Sequence, residues 1–199
     1  SSDVCSSDLS IQFGRRDPEL NAAIRIGHAH LQTSFYTNLR TKQQLGYIVH
    51  SSLNFHEKVL GLLFLVQSSV YDPVEISKRA HAWVETAIKE LEDLNEEEFE
   101  GYRTAVVKEL LEEDKTVNES LDTLIFEAVV MKGVFNYRKL VADAAQAITK
   151  DRMIEIFKDS FKKRAALSIY LSTEDSEIAL PNETIISNET DYKRTTAVF

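Results

Sequence analysis

Tyr47-Ile48-Val49-His50-Ser51-Ser52-Leu53-Asn54-Phe55, then His56-Glu57-Lys58, then Val59-Leu60-Gly61-Leu62-Leu63-Phe64-Leu65-Val66-Gln67-Ser68: this run decides the fold class. Both outer segments are short, rich in β-branched and aromatic residues, and bounded by polar punctuation, which predicts strands. The second is almost continuously apolar and so reads as the more buried of the two. A three-residue polar turn between them leaves antiparallel pairing as the natural outcome. The hairpin therefore belongs to an antiparallel sheet.

Working upstream, Gly46 separates the hairpin from a helical pattern. Asp17 can cap, Pro18 suits the first helical position, and Glu19 sits at the positive end of the helix dipole. Leu20, Ile24, Leu31, Phe35 and Leu39 then recur at helical spacing with Gly27 on the same face, predicting a helix to about Lys42. Before it, Ser10-Ile11-Gln12-Phe13-Gly14 alternates like a short strand. The first nine residues, Ser1-Ser2-Asp3-Val4-Cys5-Ser6-Ser7-Asp8-Leu9, show no period, repeat a Ser-Ser-Asp element, and read as a sequence-assembly scar or disordered lead. They are set outside the folded domain.

Downstream of the hairpin, Asp72 and Pro73 repeat the helix-start signal, with Glu75 at the capping-box position. Ala80, Ala87, Ile88 and Leu91 mark the inner face of that helix. Asn95 followed by Glu98 offers a second capping box for a helix through Phe99, Val106 and Leu110. Further helices are predicted over residues 120–131 and 137–148, and a last one capped by Thr149 with Ile154, Phe157 and Phe161 inward. Ala166-Leu167-Ser168-Ile169-Tyr170-Leu171 closes as a strand. The order implies an α+β layer, an antiparallel sheet with helices packed on one face. The domain is expected over residues 10–172, with residues 173–199 as a tail across its surface.

Composition narrows the function. The chain has 199 residues, 43% of them hydrophobic and 28% charged, a normal balance for one globular domain. The net charge of −9 and the scattered basic residues argue against nucleic acid as a partner. The longest apolar run, from Val59 to Val66 and broken by Gly61, is far short of the ~20 residues a membrane span needs. No basic segment followed by an apolar run marks a secretory leader at the N-terminus. A soluble compartment is expected, with the cytoplasm the first guess. The one cysteine, Cys5, excludes an internal disulfide.

Chemistry within the chain is sparse. The five histidines, His28, His30, His50, His56 and His81, fall in neither His-x-x-Glu-His nor His-Glu-x-x-His. His28 and His30 lie two apart on a predicted helix, so they point in different directions and cannot share a metal. No Gly-x-Ser-x-Gly elbow or phosphate loop occurs. Glu96-Glu97-Glu98 reads as a helix's first turn that complements its dipole. No catalytic residue and no metal ligand is predicted in this chain.

One segment remains, Leu39-Arg40-Thr41-Lys42-Gln43-Gln44-Leu45-Gly46-Tyr47. On spacing alone, Arg40 is a cation favoured by a helix C-terminus and Tyr47 a half-buried strand aromatic. The functional alternative points both into one cleft, a guanidinium fork and a phenol hydroxyl offered to a peptide carbonyl.

The longer run from Phe35 to Val49 closely resembles the Leu-Arg-Thr-x-x-Gln-Leu-Gly-Tyr-x-Val signature of insulysin/pitrilysin-type (insulinase-like, inverzincin) zinc metallopeptidases. The resemblance continues through Gly61-Leu62, Val66-Gln67-Ser68, residues 94–99, Phe135, Thr149-Lys150-Asp151, and Leu180-Pro181 to Lys193-Arg194 in the tail. It implies the last of four related α+β domains in a clamshell. Arg40 and Tyr47 match the family residues that hold the substrate backbone. Zinc would serve the full-length enzyme through ligands outside this chain, in an N-terminal half of the same polypeptide, with peptides as substrates. This portion alone would be inactive. A non-catalytic scaffold or partner subunit of the same family is the alternative. Residues 121–127 depart from the pattern by lacking the tryptophan often found there.

Overall fold

The computed structural model describes residues 4–56, 58–163 and 166–171. Four strands, β1 (Cys5–Arg15), β2 (Ile48–His56), β3 (Val59–Ser68) and β4 (Ala166–Leu171), form an antiparallel sheet in the order β2-β3-β1-β4. Six α-helices stand among the described residues: α1 (Pro18–Phe35), α2 (Pro73–Asp93), α3 (Glu96–Leu111), α4 (Val117–Ile125), α5 (Tyr137–Ala147) and α6 (Lys150–Lys163). Two short π-helical stretches extend helices: π1 (Tyr36–Lys42) follows α1, and π2 (Phe126–Val130) follows α4.

The hairpin forms as its composition requires, with Ile48 opposite Gln67 and Phe55 opposite Leu60. Alternate strand residues Leu9, Ile11, Val49, Leu62, Phe64 and Val66 are buried beneath the helices. The other side of the sheet carries polar pairs such as Asn54 Nδ2 donating to Ser10 Oγ at 3.0 Å. Helix starts are set by the expected side chains. Asp17 Oδ1 accepts from the Glu19 and Leu20 amides, and Asp72 Oδ1 from those of Val74 and Glu75. Asn95 and Glu98 complete a reciprocal capping box, a feature worth about 1 kcal/mol.

The first strand corrects the reading of the N-terminus. Residues 5–9, set aside as a scar, are the first half of β1, and Ser6, Ser7 and Leu9 are buried. Their own β-propensity is low. They are held because β1 lies between β3 and β4, with Ser6 facing Gln67 on one side and Leu171 on the other. Pairing on both edges outweighs local preference. The predicted tail lies outside the described residues.

The core is continuous from sheet to helices. Phe35, Phe64 and Trp83 pack as an aromatic triangle with ring centroids 4.9–5.3 Å apart, and Trp83 Nε1 donates to Ser34 Oγ at 3.1 Å. Phe13, Phe157 and Phe161 make a second cluster at the far end of α6. A buried polar link ties the helices together: Asn21 Nδ2 donates to Tyr137 Oη at 3.2 Å, and Arg25 bridges Asn21 and Glu109.

His28 is buried on α1, with Nε2 3.1 Å from Ser51 Oγ on β2. Burial pushes its pKa down, so the folded protein keeps the ring neutral at pH values where the unfolded chain takes up a proton. The unfolded state therefore binds more protons below about pH 6.5. Its contribution to stability is complete above that pH and shrinks as pH falls toward the depressed folded value. His28→Gln should flatten the dependence of Tm on pH between 7 and 5. Superimposable wild-type and variant profiles would show that His28 titrates alike in both states.

Candidate functional site

The segment from Leu39 to Tyr47 joins the first helix to the first hairpin strand, and its backbone is fixed at several points. In π1 the Gln43 amide donates to Asn38 O at 3.1 Å, five residues back, and the Leu45 amide donates to Leu39 O at 2.9 Å, six back. Such widened turns recur at functional positions. The predicted helix does reach Lys42, but its last two turns are π rather than α. Gln44 then takes the left-handed conformation (φ 50°) that ends the helix, and the Gln43 side chain bonds Asn38 Oδ1 at 3.4 Å.

Leu39 and Leu45 are both fully buried and anchor the segment to the core. Between Leu45 and Tyr47, Gly46 passes so close to β3 that a Cβ there would sit 2.0 Å from the Gln67 carbonyl oxygen. The glycine is needed for this close approach. It has no positive φ, so conformational freedom is not the cause.

Against this fixed base the two candidate side chains face outward. Arg40 projects from π1 and is half-buried, and Tyr47 stands at the mouth of β2 and is 59% exposed. Neither makes a side-chain hydrogen bond or ion pair with the described residues. The structure thus places both on one tethered segment with their donors uncommitted. A guanidinium offers a planar fork of N–H groups and a phenol one directional O–H, a set suited to carbonyl or carboxylate oxygens.

The remaining candidates are structural. His30 packs edge-on to Tyr102, and His81 Nδ1 lies 2.9 Å from Ser77 O on its own helix. Among the described residues no three His, Cys, Asp or Glu side chains come together as a metal site. They do not fit a resident zinc, and no hydrolytic step is assigned to them. No helix among them is long and apolar enough to cross a membrane.

A four-stranded antiparallel sheet backed by helices is a fold shared with pitrilysin. The two structures superpose with a TM-score of 0.77 over 92% of this chain and 20% of that one, at 22% identity. In sequence the chain is 30% identical to a nardilysin-like protein of Arabidopsis thaliana over 142 residues, which is 71% of this chain and 14% of that protein. It is 22% identical to the insulin-degrading enzyme of Homo sapiens over 218 residues, covering 98% of this chain and 21% of the enzyme. The family model described as PQQ synthase PqqF-like, C-terminal lobe domain 4, matches residues 26–125. The chain belongs to that family, a C-terminal lobe domain of the insulinase-like M16 type. It spans 14–21% of the length of the curated relatives it matches.

Proposed function

We propose that this chain is the substrate-holding C-terminal part of a zinc-dependent metalloendopeptidase that degrades peptides, and that Arg40 and Tyr47 grip the peptide backbone. Zinc and its ligands are assigned to the N-terminal half of the same polypeptide, outside these residues. The carrying observation is that two strong donors, Arg40 and Tyr47, are left uncommitted on a segment whose backbone is pinned by Leu39, Gly46 and Leu45. Donors held on a rigid base lose little freedom when a substrate oxygen arrives, which is the condition for orienting it and stabilising charge that develops on it.

The test is steady-state hydrolysis of an internally quenched peptide by the full-length protein. Tyr47→Phe should lower kcat/KM about 10²-fold, the scale of losing one aimed donor. Its exposure predicts a Tm close to wild type. Arg40→Ala should weaken peptide handling, with Arg40→Lys restoring only part of it because an ammonium lacks the planar fork. Wild-type kinetics in both Tyr47→Phe and Arg40→Ala would overturn the assignment.

A further inference from the structure

Between Arg40 and Tyr47, the residue that departs most from local preference is Gln44. Its φ of 50° lies in the left-handed region, where a Cβ crowds the backbone and glycine, or less often asparagine, is the usual occupant. The backbone sets this requirement. The amides on either side, those of Gln43 and Leu45, reach back to Asn38 O at 3.1 Å and Leu39 O at 2.9 Å as the chain leaves π1. The exit of π2 repeats the pattern. There the Met131 and Gly133 amides reach Phe126 O at 3.0 Å and Glu127 O at 2.9 Å, and Lys132 between them has a φ of 52°. Glycine would meet the demand at either exit without strain.

What glutamine adds at position 44 is therefore its side chain. That side chain is exposed and makes no hydrogen bond with the described residues, whereas the neighbouring Gln43 commits its own amide to Asn38 Oδ1. Its base does not wander, because Leu45 beside it is fully buried. An uncommitted amide held on a strained backbone, beside two uncommitted donors, points to a task for that amide. The chemistry of the segment says which. A peptide group presents one N–H and one C=O. Arg40 carries only donors and cannot receive the N–H, while a primary amide carries both a donor and an acceptor in one plane.

We infer that Gln44 is a third contact to the substrate main chain, with Oε1 accepting a peptide N–H and Nε2 donating to a peptide carbonyl. The inference rests on the reading of Arg40 and Tyr47 as substrate contacts and narrows the substrate class. Such a trio takes extended peptide whose backbone groups are free of internal pairing, and it disfavours proline or an N-alkylated residue where the N–H meets Gln44.

The experiment uses the full-length protein and the same internally quenched peptide. Gln44→Met keeps the length and the strained backbone and removes the amide. It should lower kcat/KM about tenfold, the scale of a pair of neutral hydrogen bonds, with Tm unchanged. Gln44→Gly should lose activity to a similar degree while gaining stability, whereas Lys132→Gly should gain stability with wild-type kinetics. Peptides are then made in which one N–H at a time, away from the cleaved bond, is replaced by an ester oxygen. At one position the ester should slow the wild type about fivefold and slow Gln44→Met no further. If Gln44→Met keeps wild-type kinetics while Tyr47→Phe is slow, the inference falls and the reading beneath it stands. If Arg40→Ala and Tyr47→Phe are also at wild-type rates, both fall. A slow Gln44→Met that responds to every ester as the wild type does would overturn the contact, since the amide would then act without touching the main chain.

Discussion

Gly46→Ala should cost about 3 kcal/mol of stability, at the upper end for overpacking, and should carry peptide turnover down with it. The added methyl would meet the Gln67 oxygen at 2.0 Å and its carbonyl carbon at 2.8 Å. These are backbone atoms of a strand paired on both sides, with Ser6 and Ile48 opposite Gln67, so they cannot swing aside as a side chain would. Relief requires β3 or the segment at Gly46 to move. Tyr47 is the next residue and moves with it. Gly101→Ala in α3 is the contrast, since nothing lies within 4 Å of its added methyl. There alanine should stabilise by up to about 1 kcal/mol through helix propensity. Paired thermal melts decide the matter. Two glycines responding alike would mean that the close approach at Gly46 is relieved freely.

Phe35→Ala should be the most damaging core change, at roughly 3–5 kcal/mol. Its ring is fully buried and lies 4.9 Å from Trp83 and 5.0 Å from Phe64, so truncation opens a cavity between sheet, α1 and α2. It is also the last residue of α1, directly ahead of the π turn that bears Arg40. Urea unfolding of the 199-residue chain, followed through its single tryptophan, Trp83, gives the measurement. The midpoint should fall sharply, and native emission should shift to the red as water reaches the indole. A midpoint within error of wild type would show that the triangle contributes little.

Much of the fold is legible in the sequence because its determinants are local. The Asp-Pro helix starts at residues 17 and 72 and the Asn95 capping box each depend on residues within four positions of one another, and the hairpin pairs two segments adjacent in the chain. Strand β1 is legible in that way only over residues 10–14. Its first half is serine and aspartate, and its reason for being a strand lies in β3 and β4, far along the chain. The π turns were missed for a related reason. Periodicity marks which residues face inward but does not separate a bond to the fifth residue back from one to the fourth.

The candidate site divides along the same line. Arg40 and Tyr47 stand out through a motif, and their free donors and pinned backbone emerge only in three dimensions. Gly46 reads in the sequence only as the break between helix and hairpin, and the neighbour that requires it, the Gln67 carbonyl, is twenty-one positions away.

The strand order has a kinetic consequence. Because β1 is central, the sheet closes only when residues near the start of the chain meet residues near 170, as in the pairing of Ser6 with Leu171. Every helix among the described residues is synthesised in between. Until β4 arrives, β1 has one open edge, and the β2–β3 hairpin can pair before that with β1 but cannot finish the sheet. Long-range closure of this kind is slow compared with helix formation. The rate-limiting step in folding this domain should be the docking of its last strand, and the half-built sheet with an unpaired β1 edge is the species most exposed to aggregation.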